Sequence, residues 1–538
     1  MLYTGRLGGE ADHRGFFGGA RNIPRTVGLI ASFLCLIVVT PIAGLWGLAG
    51  GVGILLLTLL LTLDTHRGSM LDRWTARKRW RDRERCGTVA FEPWTQERAD
   101  ELSAQVTAAR GRRAKRDARR QLARLRALPD GLDGVGWLQS AHAMPGIAWH
   151  EPVGEPAYLS VTWAVRGQLA GVESEARTRA AAKALGEALE AWTPVTKLVE
   201  QVQITTRVLP SDHALHAQWA YDHLDPAAPP QAVKAYAEVL DEAIRDAMVT
   251  THYVTLSWPL TARFRSAASR YGRGRDAWRA LMAHEIADAQ RILRTAGLGS
   301  VEVLTARRLT ALIHHQQAPH RAILDMTRAN PAALGLPSQD TKGSHIVTDT
   351  DTPDSPEWHH RTAALRGAYM TPGTRTQLWM LPLIIGRTLR CHRTVAIHEH
   401  LVPRAEALQL AKSDVVADSA NVLADRERGR LTDDATETTL SAAQIRRRDL
   451  SAGNQHHGLS WVIYITLSET DPTALDRACR ELTDVCTTDL GVTRLEWLDS
   501  YQAAAMGTTM PVGRGLAPYT PATSARFLRA LAGSEDAA

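Results

Sequence analysis

The sequence predicts a membrane helical hairpin attached to an α+β cytoplasmic body made of two split β-α-β, ferredoxin-like halves. Two observations support this fold class. The run Thr26–Leu63 contains no Asp, Glu, Lys, Arg or His, and about 20 apolar residues suffice to cross a bilayer core of about 30 Å. After this run, some segments alternate apolar and polar residues and others have helical spacing. That mixture is typical of α+β domains.

The uncharged run is too long for one straight crossing and fits two helices with a break at Thr40, Pro41 and Gly44. Proline lacks an amide donor and clashes with the preceding turn, so we expect a two-span hairpin over residues 26–63. Cations flank both ends of the run, and positive residues stay on the cytoplasmic side. The sequence therefore predicts a multi-pass inner-membrane protein with both termini cytoplasmic and a flexible lead-in over residues 1–25.

Composition excludes several classes of protein. The chain has 538 residues, of which 44% are hydrophobic, which is enough for the hairpin and two or three domains. Its five cysteines show no C-x-x-C spacing. This argues against a disulfide framework or a zinc ribbon and suits a reducing compartment.

A basic, juxtamembrane helical region follows over residues 64–135, and within it residues 97–126 are predicted as one long helix. Nine cations and one acid lie between Arg110 and Arg126. We interpret this run as a helix facing solvent or anionic lipid; an acidic partner protein stays open. Direct nucleic-acid binding is disfavoured because no aromatic stacking platform accompanies the cations. The residues predicted to contact lipid or a partner are Arg73, Arg77, Lys78, Arg79, Arg112, Arg113, Arg116 and Arg120.

The body is predicted to begin near residue 136. A first α+β half spans 136–317 and a second spans 377–516. The connector between them, 318–376, is rich in Pro and loses clear periodicity, which is typical of loops. Residues 517–538 form a C-terminal tail.

Strands and helices alternate in the first half. Leu159, Val161 and Trp163 alternate with polar residues, which predicts a half-buried strand, whereas Leu185 and Leu189 share one helical face. The predicted order is strand Tyr158–Val165, helix Glu173–Trp192, strand Val199–Leu209, helix Gln231–Met248, strand His252–Trp258 and helix Asp276–Thr295.

The second half repeats this pattern. The segment WVIYITL is apolar on both faces, which predicts a central strand. Asp471 is suited to cap the N-terminus of the helix that follows. The predicted order is strands Gln377–Ile385 and Thr394–His398, helices Pro403–Arg428 and Ala435–Leu450, strand Trp461–Leu467, helix Pro472–Thr488 and strand Thr493–Leu498.

No catalytic motif stands out. The sequence lacks G-x-x-x-x-G-K-[ST], a G-x-G-x-x-G after a strand, and G-x-S-x-G, the motifs of phosphate loops, dinucleotide sites and nucleophile elbows. His398 and His400 lie two residues apart at a predicted strand end and would share one face, so a metal pair is geometrically open. No third ligand lies close in sequence. We therefore expect no catalytic, cofactor-binding or metal-binding residues, no cofactor and no enzymatic activity.

The order of parts and three segments resemble actinobacterial conjugation proteins. The segments are AYLSVTWAVRGQ (Ala157–Gln168), SWVIYITLSETDP (Ser460–Pro472) and YQAAAMGTTMPVGRGL (Tyr501–Leu516). Together they resemble a fusion of two parts of a type IV secretion system: the two-helix inner-membrane subunit and the N-terminal, non-motor domain of the secretion ATPase. The last segment is similar to the Gln-then-Leu/Met-Pro-Gly sequence that ends this ATPase domain, after which the motor follows.

The resemblance implies a non-enzymatic inner-membrane scaffold of a conjugative, DNA-transferring type IV secretion system. Its partners would be the inner membrane, a separate secretion ATPase and other subunits, in a homo- or hetero-oligomeric assembly. The segment that precedes the motor in the ATPase is the expected docking site for the separate ATPase. Its residues are Gln502, Met510, Pro511 and Gly513.

Two alternatives stay open at this point. An accessory membrane component of a type VII secretion system also has two N-terminal spans before a cytoplasmic body. A membrane-tethered hydrolase would use the region of His398 and His400. A conjugation ATPase and a coupling protein encoded beside this chain would favour the type IV system.

Overall fold

The computed structural model describes the greater part of the predicted body and only pieces of the N-terminal 69 residues. The predicted lead-in, except residues 4–8, the predicted break at Thr40 and Pro41, and the tail 517–538 lie outside the described residues. The described ranges are 4–8, 30–34, 37–38, 44–62, 70–152, 156–169, 173–211, 214–225, 227–244, 247–323, 329–371, 373–385, 389–427, 434–451 and 456–515.

The predicted fold class is wrong. The structure has an α+β fold built on one mixed sheet of 14 strands, rather than a membrane hairpin carrying two separate halves. Among the residues described, no helix is both long and apolar enough to cross a membrane. The uncharged run contributes helix Leu45–Thr62 of 18 residues, which spans about 27 Å at 1.5 Å per residue, less than a bilayer core of about 30 Å. The predicted multi-pass inner-membrane localisation is overturned by the same finding.

The strands of the described residues belong to two sheets. A small sheet joins the first strand to the thirteenth, and the other 14 strands form the large sheet. The strands are β1 (Thr4–Leu7), β2 (Ala90–Pro93), β3 (Leu125–Arg126), β4 (Val135–Gln139), β5 (Ile147–His150), β6 (Tyr158–Val165), β7 (Gln201–Pro210), β8 (Met248–Pro259), β9 (Val301–Val303), β10 (Ser338–Asp340), β11 (His345–Val347), β12 (Trp358–Arg366), β13 (Gly373–Thr376), β14 (His392–Val402), β15 (Gly458–Glu469) and β16 (Glu496–Trp497).

The helices lie between these strands. A 3-10 turn, Gly367–Tyr369, follows β12. The α-helices are α1 (Leu45–Thr62), α2 (Met70–Cys86), α3 (Gln96–Ala108), α4 (Arg112–Arg124), α5 (Glu175–Trp192), α6 (Ala214–Asp222), α7 (Pro230–Ile244), α8 (Ala262–Ser269), α9 (Gly274–Thr295), α10 (Ala306–Gln317), α11 (Leu381–Ile385), α12 (Arg404–Glu427), α13 (Asp434–Asp449), α14 (Pro472–Thr488) and α15 (Gln502–Gly507).

The two halves of the body share one strand arrangement. In the first half the order is β9-β6-β8-β7, and in the second it is β16-β12-β15-β14. Along the chain, each half also places two helices between the second and third of its four strands: α6 and α7 lie between β7 and β8, and α12 and α13 lie between β14 and β15. The halves meet where β7 pairs antiparallel with β14, with Ile204 opposite Ile397. The body is therefore continuous across the two halves through main-chain hydrogen bonds.

The two faces of the large sheet differ in polarity. On one face, β6 and β8 pack against α5 and α9 in a core that includes Trp163, Trp258 and Met282, and the second-half strands pack against α14. The other face bears buried polar side chains, including Thr162, Gln203, Arg207, His398 and Thr466. Helices α10 and α15 and residues 508–515 cover this polar face.

Two predicted elements are wrong. Residues 97–126 form two helices, since the chain breaks at Gly111 with a φ of +90°, a conformation that glycine adopts without steric cost. The predicted strand Gln377–Ile385 instead contains helix α11, because a short apolar run does not distinguish a buried strand from a buried helix. The domain boundaries stay a prediction. The structure places β10, β11 and β12 within the segment expected to be a connector.

Candidate functional site

The strongest charge on the described surface lies on helices α2 and α4. Helix α2 carries seven Lys or Arg and three acids, and α4 carries seven Lys or Arg and one acid. Their net charges, +4 and +6, combine to +10, whereas the whole chain has +6. The rest of the chain is therefore net negative, so the positive charge is concentrated on one structural unit. We call α2 and α4 together the basic surface.

Arg83 anchors helix α2 to the body. Its side chain is buried, and its Nη2 atom lies 2.8 Å from a carboxylate oxygen of both Asp130 and Asp340. Nη1 donates to the carbonyl of Ser500, and the guanidinium lies 4.5 Å from the centre of the Tyr501 ring. One buried cation thus joins α2 to three distant parts of the chain, which fixes the position of the basic surface on the body.

Helices α2 and α4 meet at Gly87. This residue has a φ of +84°, and a β-carbon there would lie 2.4 Å from the carbonyl oxygen of Arg120. Only glycine permits such a close approach. Arg120 Nε then donates to the Arg85 carbonyl at 2.8 Å. The sequence contains two cationic segments, and this contact brings them together.

The predicted contact residues are placed as follows. Arg120 is half-buried and supports the crossing of the helices, and Lys78 lies 5.6 Å from the centre of the Trp74 ring. Asp117 lies 3.8 Å from Arg116 and 3.6 Å from Arg120. The exposed members of the predicted set are Arg73, Arg77, Lys78, Arg79, Arg112, Arg113 and Arg116.

The predicted ATPase-docking residues are not on the surface. Gln502 is fully buried, and its Oε1 accepts the Thr362 amide at 2.8 Å. Met510 is buried in the core cluster that includes Leu312 and Leu334, and Pro511 and Gly513 are also buried. We call residues 501–515 the C-terminal strap, because they cross the polar face of the sheet.

Gln203, on β7, holds the middle of the C-terminal strap. Its Nε2 donates to the Met510 carbonyl at 2.8 Å, and its Oε1 accepts the Gly513 amide at 2.7 Å. Beside it, Thr162 Oγ1 donates to the Pro511 carbonyl at 2.8 Å. Sequence reasoning missed this role. The available signal was a glutamine at an inward position of a strand rich in Val, Ile and Thr.

His398 also serves the C-terminal strap. Its Nε2 donates to the Thr508 carbonyl at 2.7 Å, and its Nδ1 accepts from Gln201 Nε2 at 2.9 Å. Burial lowers the pKa of His398 to about 4, and the bond to Thr508 opposes that shift. Both ring nitrogens are engaged, so the metal pair considered for His398 and His400 does not form in this arrangement.

Comparison with protein-family models finds no match, and comparison with curated proteins also finds none. The resemblance to type IV secretion proteins therefore stays a prediction.

Proposed function

We propose that the protein is a non-enzymatic scaffold of a conjugative type IV secretion system and that it docks a separate secretion ATPase. One observation carries the proposal: a net charge of +10 lies on two crossing helices that a buried arginine fixes to the body. A concentrated, rigidly held charge of one sign speeds the encounter with a complementary acidic surface and selects its orientation.

The docking surface proposed here is the basic surface, and not the C-terminal strap. The strap uses its polar groups within the body, as the bonds of Gln203 and Thr162 illustrate. A partner could reach these groups only by displacing the strap from the sheet. The exposed cations of α2 and α4 are available without any such rearrangement.

The motor is assigned to a separate polypeptide. The sequence has no G-x-x-x-x-G-K-[ST] segment to hold nucleotide phosphates. The body would then contribute position and rigidity, and its partner would hydrolyse ATP. This division of roles follows from the resemblance and stays part of the proposal.

The test is recovery of the ATPase from native cells. Replacing Arg112, Arg113, Arg116 and Arg119 by Glu reverses four exposed charges of α4 and leaves Arg120 in place. We expect at least about a tenfold loss of co-purified secretion ATPase, because charge reversal replaces attraction by repulsion. Binding of the unaltered pair should also weaken as salt rises from about 0.05 M to about 0.5 M.

A matched control reverses four exposed cations of the α8–α9 region. The control residues are Arg265, Arg270, Arg273 and Arg294. The control should retain the ATPase. Equal recovery with all three proteins would place the docking site elsewhere. If no secretion ATPase accompanies even the unaltered protein, the proposed function itself is wrong.

A further inference from the structure

Arg207 is a buried cation with almost no acceptors. It lies on the polar face of β7, opposite Thr251 of β8 and Thr394 of β14, and its exposed fraction is 1%. Nη2 donates to the His315 carbonyl at 3.5 Å, longer than the usual range of about 2.7–3.2 Å for such a bond. Among the residues that the structure describes, Nε and Nη1 have no hydrogen-bond partner.

Other buried arginines of the described chain are well supplied with acceptors. Arg83 lies against two carboxylates, and Arg321 lies against Asp349 and Asp351. Arg393 donates to main-chain carbonyls from all three of its nitrogens. Burying a cation without compensation costs several kcal/mol, so Arg207 calls for a negative partner.

Two hydroxyls beside Arg207 are also unpartnered. Thr205 is two residues earlier on the same strand, so it shares the face of Arg207. Thr251 lies directly opposite on β8, where facing β-carbons are about 5 Å apart. The Oγ1 atoms of Thr205 and Thr251 are buried, and no residue of the described part of the chain forms a hydrogen bond with them. The guanidinium and the two hydroxyls thus leave four donor atoms without a described partner on one face of two neighbouring strands.

The charge at this point is a single positive one. Burial lowers the pKa of Arg207 to about 10, so the guanidinium stays protonated at neutral pH. Burial, with a further contribution from Arg207, lowers the pKa of His315 to about 2 and that of His392 to about 4. Both imidazoles are therefore neutral. No carboxylate of the described residues forms an ion pair with Arg207.

We propose that Arg207, Thr205 and Thr251 form a buried binding site for a small monovalent anion of halide size. One negative charge balances the one positive charge, and the four donors match an ion that only accepts hydrogen bonds. The near-complete burial of Arg207 restricts the site to a small ion. Thr251 and His392 are half-buried, which places the site near solvent at one end of the strands. The anion would lie where the two halves join.

The experiment measures thermal unfolding of the full chain in bromide and in gluconate at equal ionic strength. Gluconate is too large for the site and serves as the inert anion. A ligand that binds only the folded state stabilises it in proportion to the logarithm of its concentration. We expect each tenfold increase in bromide above the dissociation constant to raise the melting temperature by about 1–3 °C.

Arg207→Met removes the charge at similar volume. This variant should unfold at the same temperature in both salts. In gluconate it should be at least as stable as the unaltered protein, because it no longer buries an unpaired cation. The double variant Thr205→Val and Thr251→Val keeps the arginine, and it should need at least about tenfold more bromide for the same rise, since the ion loses two hydrogen bonds to its charge.

Crystals of the full chain grown in bromide provide a second measurement, since bromide scatters anomalously. The proposal expects an anomalous peak within hydrogen-bonding distance of Arg207 Nε or Nη1. The proposal is overturned if the unaltered protein melts at the same temperature in bromide and gluconate and no such peak is found. Water would then accept the hydrogen bonds of the guanidinium. A bromide effect that survives in Arg207→Met would place the ion elsewhere and would equally overturn it.

Discussion

Two arginines on neighbouring strands, Arg207 of β7 and Arg393 of β14, are buried equally, each with an exposed fraction of 1%. They project from opposite faces of the sheet, since Arg207 pairs with Thr394, the residue after Arg393. Arg393 donates to the carbonyls of Leu383, Leu389 and Ile384 at 2.7, 2.6 and 2.9 Å. Arg207 has one donor bond of 3.5 Å. The two guanidinium groups are thus equally buried but differ greatly in the number and length of their hydrogen bonds.

The difference lies in what covers each face. Arg393 meets the carbonyls of Leu383 and Ile384, near the end of α11, and the carbonyl of Leu389. Arg207 meets α10, whose inner carbonyls already accept helical amides, and only the last turn leaves carbonyls unused. A buried cation therefore forms more hydrogen bonds where several free main-chain carbonyls converge on it than where it reaches only one. The following predictions test this contrast.

The largest effect is expected for Arg393→Met. The change leaves the main-chain carbonyls of Leu383, Leu389 and Ile384 without this donor, and at the lower end of the cost of about 1–3 kcal/mol for each unsatisfied group the loss is about 3–5 kcal/mol. The free energy of unfolding, measured in urea, should fall by that amount. Arg207→Met in halide-free buffer is the matched control and should lose little or nothing. Equal losses at both positions would remove the contrast between the two arginines.

Glu399→Gln tests the anionic counterpart. Glu399 is buried on β14, and its Oε2 has no hydrogen-bond partner within the described ranges; burial raises its pKa to about 7 from the ordinary 4.5. A raised pKa means that folding favours the protonated form, so stability is full below the ordinary pKa and is lost as pH rises through 7. The loss should be on the order of 3 kcal/mol.

The variant replaces this carboxyl by a neutral amide. Its free energy of unfolding should therefore lack the decline between about pH 5 and about pH 8 that Glu399 causes. Denaturant titrations of both proteins across this range provide the measurement. If the free energy of unfolding of both proteins changes with pH in the same way, the Glu399 carboxyl is solvated and is not a buried counterpart of Arg207.

Gln203→Leu extends the contrast to a fully satisfied neutral group. The variant leaves the Met510 carbonyl and the Gly513 amide buried without partners, at about 1–3 kcal/mol for each unsatisfied group. Limited proteolysis should then cut the C-terminal strap first. Gln105→Leu is a suitable control, because Gln105 is exposed and exposed changes shift stability by about 0.5 kcal/mol or less. Unchanged protease resistance in Gln203→Leu would show that other contacts hold the strap.

The smallest effect on stability is expected for exposed cations. Reversing Arg112, Arg113, Arg116 and Arg119 should change the free energy of unfolding by about 0.5 kcal/mol or less for each residue. Their charges contact solvent, whereas buried cations such as Arg83 and Arg393 form the hydrogen bonds that stabilise the fold. Calorimetry of the quadruple variant checks this. If the quadruple variant shows no cooperative unfolding transition, the cations of α4 pack against the body.

Local pattern predicted many of the elements. Strand Tyr158–Val165 has the predicted bounds because its large apolar residues alternate with smaller, mostly polar ones, although both of its faces are buried rather than one. Helix Pro472–Thr488 also has the predicted bounds, and Asp471 accepts the Ala474 amide at 2.9 Å as a cap. These features depend on neighbours a few residues apart, which a single sequence displays.

Long-range pairing could not be predicted from pattern. The β7–β14 junction joins residues almost 200 positions apart, and Arg83 reaches Ser500 across 417 positions. The burial of Met510 and Gln502 could not be predicted for the same reason, because it depends on side chains from distant strands. The membrane hairpin was wrong because run length alone does not fix where a helix begins and ends.

The β7–β14 junction also has a consequence for biosynthesis. As the chain leaves the ribosome, β7 is complete long before β14 has been synthesised. The edge of β7 that pairs with β14 therefore has no partner during this time. Exposed strand edges recruit other strands, and contacts that close late slow folding. Until residue 402 has emerged, one nascent molecule can therefore offer the edge of β7 to the β14 of another, giving an exchanged dimer. Slower translation between residues 210 and 392 would lengthen this period and favour chaperone capture over correct closure.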